Sequence, residues 1–97
     1  MKYEITFAPE ALENFRYLRA YDRAAVRDAI NEYLKHEPTR LSKSRIKRLR
    51  DIAKPQYHLR MGDIRVFYDV HESEVIVLGI VSKASTDEWM RKRGIKS

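Results

Sequence analysis

The chain has 97 residues, 43% hydrophobic and 35% charged, which is one domain's length (residues 1–97) and too little for a deep internal site. Twenty Lys and Arg against 14 Asp and Glu leave a net charge of +6, and the absence of cysteine excludes disulfides, thiolate metal sites and cysteine nucleophiles. The longest apolar run, residues 75–81, is far short of the ~20 residues that span a bilayer, and residues 1–20 carry Glu4, Glu10 and Glu13 rather than a signal-peptide core. The expectation is a cytoplasmic protein with no membrane partner.

In chain order, residues 2–7 alternate, with Tyr3, Ile5 and Phe7 on one face of a predicted strand. Pro9 suits the first turn of a helix, and Leu12, Phe15 and Leu18 extend a helical stripe to about Arg19. Ala20-Tyr21 reads as a tight turn, with Asp22 as the N-cap of a second helix running to about His36. Val26, Ala29, Ile30, Tyr33 and Leu34 form its apolar face, and Pro38 ends it. Two helices so closely joined predict an antiparallel hairpin.

Charge is unevenly placed. Residues 1–34 hold five basic and six acidic side chains; residues 35–97 hold fifteen and eight. The densest stretch, residues 39–50, carries Arg40, Lys43, Arg45, Lys47, Arg48 and Arg50 without an acid, a pattern that suits either a polyanionic partner or a solvated face. Residues 57–61 then alternate, with Tyr57, Leu59 and Met61 inward and His58 and Arg60 outward. Gly62-Asp63 is compatible with a two-residue hairpin. It leads into residues 64–70, with Ile64, Val66, Tyr68 and Val70 on one face and Arg65, Phe67 and Asp69 on the other. After the polar residues 71–74, the run 75–81 is apolar on both faces, as in a strand covered on both sides. Residues 86–96 predict a last helix, with Thr86 as N-cap and Gly94 near its end. The order β-α-α-β-β-β-α predicts an α+β fold: a helical hairpin packed on one face of a largely antiparallel four-stranded sheet, then a short C-terminal helix. The opposite face is left for function.

A two-residue turn pairs Arg60 with Arg65, side by side at about 5 Å between Cβ atoms, which is unfavourable unless an anion lies between them. His58 joins them on that face, with Phe67 opposite it. Arginine forks suit phosphate and the charge of a phosphoryl-transfer transition state, and histidine can exchange a proton near neutral pH. Lys83 adds a cation, and Trp89 or Tyr68 can stack on a base. The same residues also admit structural roles: Arg60 and Arg65 as surface charges paired with Asp63 and Asp69, and Trp89 as a helix anchor. His36, His58 and His71 lack zinc-site spacing, no glycine-rich phosphate loop is present, and Ser82 and Ser85 have no histidine nearby in sequence.

The run from Tyr57 to Tyr68, with its Arg60, Gly62, Asp63, Arg65 and Tyr68, then a long apolar strand, Lys83 and Trp89, resembles the RelE/ParE superfamily. These are the toxin halves of bacterial type II toxin–antitoxin modules. The opening strand, Pro9 and the helical hairpin before Lys47-Arg48-Leu49 fit it too, so the resemblance covers nearly the whole chain. It implies a RelE-like fold and, for the RelE branch, ribosome-dependent cleavage of mRNA in the A site without metal or cofactor. By position it implies that Arg65 and Arg60 meet the phosphate, His58 acts as general base, Lys83 serves as cation or acid, and Trp89 stacks on RNA. Lys43, Arg45, Lys47, Arg48 and Arg50 would contact ribosomal RNA. His58 and Arg60 fall where RelE has lysines, and Trp89 where RelE has a tyrosine. Without a hydroxyl, Trp89 shifts proton transfer to His58 or Lys83. The resemblance also implies a cognate antitoxin in a toxin–antitoxin hetero-oligomer. The alternative within the superfamily is a ParE-like inhibitor of DNA gyrase without nuclease activity.

Overall fold

A computed structural model describes residues 2–50 and 54–94. Its elements are β1 (Glu4–Phe7), α1 (Pro9–Tyr17), α2 (Ala20–Ala29) continued by a π-helical turn (Ile30–Leu34), β2 (Ile46–Arg48), β3 (Tyr57–Met61), β4 (Ile64–His71), β5 (Glu74–Ser82), and α3 (Thr86–Lys92) after a 3-10 turn (Lys83–Ser85). The sheet runs β1-β5-β4-β3-β2; β1 pairs with β5 in parallel, and the other pairs are antiparallel. The fold class is the expected α+β, with five strands rather than four. The additional strand, β2, lies inside the basic stretch. There Ile46 is buried against Leu59 of β3, a single apolar residue too isolated among cations to show alternation in sequence.

The helical hairpin is tighter than expected. Arg19, not Asp22, is the N-cap of α2, so Ala20 and Tyr21 are helical and the turn falls at Leu18-Arg19. Leu18 and Arg19 are both extended, and the Arg23 guanidinium donates to the Leu18 carbonyl, closing the connection from within α2. Against one face of the sheet the hairpin and its π-helical turn bury Ala11, Val26, Ala29, Ile30 and Leu34 together with Leu59, Val66, Tyr68, Val75, Val77 and Ile80. The Tyr68 hydroxyl, deep in this core, donates to the Pro38 carbonyl at 2.6 Å, and burial pushes its phenol far above the usual range.

β5 is covered on both sides, as its composition predicts. Phe67 pairs with Gly79 but Tyr68 with Val77, so Leu78 is an extra residue: a bulge. The bulge restores Ile80 to the hairpin side and places Leu78 in a second cluster with Phe67, Trp89 and Met90. Beyond the end of β1, Asn14 of α1 accepts a hydrogen bond from the Ile80 N–H at 3.0 Å, so this stretch of β5 edge is not bare. The C-terminal helix starts differently from expectation. Ser82, not Thr86, accepts from the Ser85 N–H, and a 3-10 turn precedes α3. Gly94, at φ +75°, ends it. The helix thus stops at Lys92, short of the expected Lys96, because the chain turns at Arg93-Gly94; residues 95–97 lie outside the described residues.

Candidate nucleic-acid interface

The site is set by the β3–β4 hairpin. Gly62 sits at φ +56° in the first central position of the turn, the place where a two-residue hairpin loop uses glycine. That turn fixes the register Met61↔Ile64, Arg60↔Arg65, Leu59↔Val66 and His58↔Phe67. β2 extends the row by placing Lys47 opposite His58. On the face away from the hairpin, the sheet therefore carries one row of Lys47, His58, Phe67 and Gly79, and a second of Arg60, Arg65 and Val81.

Neither guanidinium is neutralised by an aspartate. Asp69 is held by the Gln56 N–H at 2.7 Å and by Lys54 at 4.0 Å. None of the ion pairs among the described residues involves Lys47, Arg60, Arg65 or Lys83. Arg65 is only 5% exposed; its Nη1 donates to the carbonyls of Gly62 at 2.8 Å and Ile64 at 3.0 Å. Burial and the neighbouring Arg60 lower its pKa, while Asp63 acts the other way. An arginine remains protonated even so, and among the described residues this buried cation is held by neutral carbonyls alone. Arg60 is half-buried beside it.

His58 is packed on Phe67, with ring centroids 5.5 Å apart. Its Nδ1 is buried without a hydrogen-bond partner, and its pKa is lowered to about 4, by burial first and then by Arg65, Arg60 and Lys47. The imidazole is thus neutral at pH 7 and a far weaker base than its ordinary pKa of about 6.5 promises.

The other predicted residues divide. Lys83 is exposed, and its N–H donates to the Asp63 carbonyl at 2.7 Å, which fixes it at the same end of the sheet as the arginine pair. Arg45 turns toward the hairpin instead: its guanidinium donates to the Tyr33 hydroxyl and lies over that ring at 5.6 Å. Arg48 lies over Tyr57 at 5.0 Å, on a ring stacked on Tyr68. Lys43 and Arg50 are exposed. Trp89 does not offer the stacking platform expected of it. It is 7% exposed, stacked on Phe67 at 4.6 Å, and its Nε1 donates to Glu10. Arg93 lies over the same ring and pairs with the same carboxylate at 3.0 Å. A short helix on a sheet needs an apolar anchor, and Trp89 is that anchor. Tyr68 is likewise core, not a base-stacking surface. Sequence reasoning missed Lys47 as a member of the His58 row, because the β2 register is invisible without the fold.

A groove of about 680 Å³ lies elsewhere, between α2 and the β3–β4 turn. Its charged lining is Asp22, Asp28, Glu32 and Asp63 against Arg19 and Arg45, an acidic balance that suits a phosphate backbone less well than the sheet face does. Among the described residues no group of three or more His, Asp or Glu is arranged to hold a metal ion, and no helix is long and apolar enough to cross a membrane.

No protein-family model matches the sequence, and no curated protein is similar to it at a significant level. Solved structures are similar in three dimensions. A chain of the RelBE2 toxin–antitoxin complex from Mycobacterium tuberculosis superposes with a TM-score of 0.72 at 24% identity, over 84% of this chain and 99% of that one. The fold is that of RelE. An E. coli RelE toxin variant in the free state gives a TM-score of 0.71 at 22% identity, covering 96% of this chain and 98% of that one. A chain of the archaeal RelE–RelB complex from Pyrococcus horikoshii gives 0.68 at 20% identity, over 86% and 97%. The hairpin-on-sheet arrangement and the α3 cover described above thus occur within a RelE-fold chain, and the cation row lies on its sheet.

Proposed function

We propose that this chain is the toxin of a toxin–antitoxin pair and that it acts as a metal-independent endoribonuclease, cutting mRNA in the ribosomal A site. The observation that carries this reading is Arg65: a buried guanidinium opposite Arg60, without a carboxylate partner among the described residues, on the face shared by Lys47 and His58. A buried cation beside a like charge is costly unless an anion joins it, and a phosphodiester supplies that anion. In RNA cleavage the 2′-oxygen attacks phosphorus and the bond to the 5′-oxygen breaks. Arg60 and Arg65 stabilise the negative charge that develops on the phosphate oxygens, His58 takes the 2′-hydroxyl proton as the 2′-oxygen attacks, and Lys83 gives a proton to the leaving 5′-oxygen. The exposed Lys43, Arg48 and Arg50, together with Lys47, supply phosphate contacts to ribosomal RNA, with strong salt dependence, while Arg45 is turned toward Tyr33.

Similar chains solved in toxin–antitoxin complexes support a cognate antitoxin as partner, in a hetero-oligomer. Arg65→Ala is expected to abolish both ribosome-dependent mRNA cleavage and growth arrest. Growth arrest by that variant at the parent's strength overturns the reading. The gyrase-inhibitor alternative draws support from the burial of Trp89, which leaves the face without an accessible C-terminal aromatic. Accumulation of gyrase–DNA complexes without codon-specific mRNA ends decides for it.

A further inference from the structure

We propose that phosphodiester binding on this sheet face is linked to protonation of His58: the bound backbone and the imidazolium hold one another, and the site grips its ligand more tightly as the pH falls. This rests on the reading of the face as a phosphate site given above.

The argument begins with what surrounds the ring. Lys47 faces it from β2, Arg60 lies on its own strand, and Arg65 lies diagonally across from it on β4, with Asp63 acting on Arg65 from the turn. In the same rows β5 contributes Gly79 and Val81, and α3 contributes Trp89 and Met90 through Phe67, none of them ionisable. Among the described residues, no carboxylate is one of the groups that act on His58. An imidazolium has a donor on each nitrogen, and here the Nδ1 donor has no acceptor. Charging this ring in the free protein therefore meets its burial first and then three cations, with an unsatisfied donor besides, and the neutral form wins down to about pH 4.

A phosphodiester reverses the sign of that field. It brings a negative charge among the cations and oxygen acceptors for an N–H, both of which favour the charged ring. By linkage, whatever raises the proton affinity of His58 on binding tightens binding by the same factor when the proton is present. Affinity is then greatest below the free-state pKa, falls as the pH rises, and is flat above the bound-state pKa. A lysine at this position stays charged throughout and gives no such profile.

The experiment uses the full chain and a 2′-O-methyl oligouridine, a phosphodiester that cannot be cleaved and does not itself titrate between pH 5 and 7. Binding is measured at constant ionic strength for the parent, His58→Gln and Arg65→Ala, while NMR follows the His58 imidazole. The expected result is a rise of about two pH units in the His58 pKa on saturation and binding ~10-fold tighter at pH 5 than at pH 7. His58→Gln is expected to lose that slope, and Arg65→Ala to weaken binding at both pH values. A parent profile that matches His58→Gln, or an imidazole pKa unmoved at saturation, overturns the linkage while the Arg65 loss leaves the phosphate site standing. An oligonucleotide that fails to bind the parent at any pH overturns the phosphate reading and this inference with it. If His58→Gln does not fold, the parent's NMR titration alone decides.

Discussion

The two faces of the sheet are built to different rules. On the hairpin side polar groups are paired where the core is deepest: the Tyr68 hydroxyl with Pro38, the Ile80 N–H with Asn14. On the α3 side a small apolar patch of Phe67, Leu78, Trp89 and Met90 covers part of the sheet. Beside it lie a buried arginine and, opposite it, a second arginine, and a histidine nitrogen; among the described residues the first has no carboxylate partner and the last no hydrogen-bond partner. One face satisfies its own polar groups and gains stability by it. The other leaves His58 Nδ1 without a partner among the described residues and Arg65 on neutral carbonyls. Unsatisfied buried groups are few in folded proteins, which is why this face is the one proposed to take a ligand.

The contrast can be broken most forcefully at the seam between the α3 patch and the sheet. Trp89→Ala removes the stacking partner of Phe67 and the donor to Glu10, and is expected to cost about 3–5 kcal/mol in denaturant unfolding. A loss below about 1 kcal/mol means that α3 is not anchored by this ring. Gly79→Ala approaches the same contact from the sheet. A Cβ there would lie 2.5 Å from the Trp89 ring, so the ring must shift, for an expected loss of about 1–3 kcal/mol.

His58 predicts a pH dependence of stability. Its folded-state pKa, about 4, lies below the ordinary 6.5, so the unfolded chain binds more protons between those values. Stability is therefore full above about pH 6.5 and declines as the pH falls toward 4, by about 2 kcal/mol after allowance for solvent screening. Melting curves of the parent and His58→Gln across this range test it, and parallel curves count against it. On the hairpin side, Tyr68→Phe leaves the Pro38 carbonyl without its donor and should cost about 1–2 kcal/mol. The smallest stability effect is expected on the cationic face: Arg65→Met, which keeps the stem and removes the charge, should change unfolding by less than about 1 kcal/mol or stabilise. That variant is expected to lose growth arrest all the same. A large loss of stability would make Arg65 a structural residue and weaken the contrast.

Local pattern carried a good deal of this. The pairing of Arg60 with Arg65 was legible because two turn residues between alternating strands leave one register, and the doubly covered strand at 75–81 was legible because it is apolar on both faces. Strand β2 was not, since a three-residue strand with one buried side chain has too few positions to show a period. The bulge at Leu78 was not, because an apolar run reads the same with or without a phase change. Trp89 had two readings in sequence, anchor or platform, and nothing local chooses between them.

By itself, then, the sequence determined the types of the longer elements, the β3–β4 turn, the register across it, and therefore which side chains of that hairpin share a face, all of which follow from periodicities of two and 3.6 residues and from the chemistry of glycine and proline. Only the tertiary structure decided what each shared face meets. It placed Lys47 opposite His58, buried Arg65 on carbonyls rather than aspartates, and closed Trp89 between Phe67, Glu10 and Arg93. Those outcomes depend on contacts between residues as far apart as 79 positions, whose free energies exist only once the whole chain has closed around them.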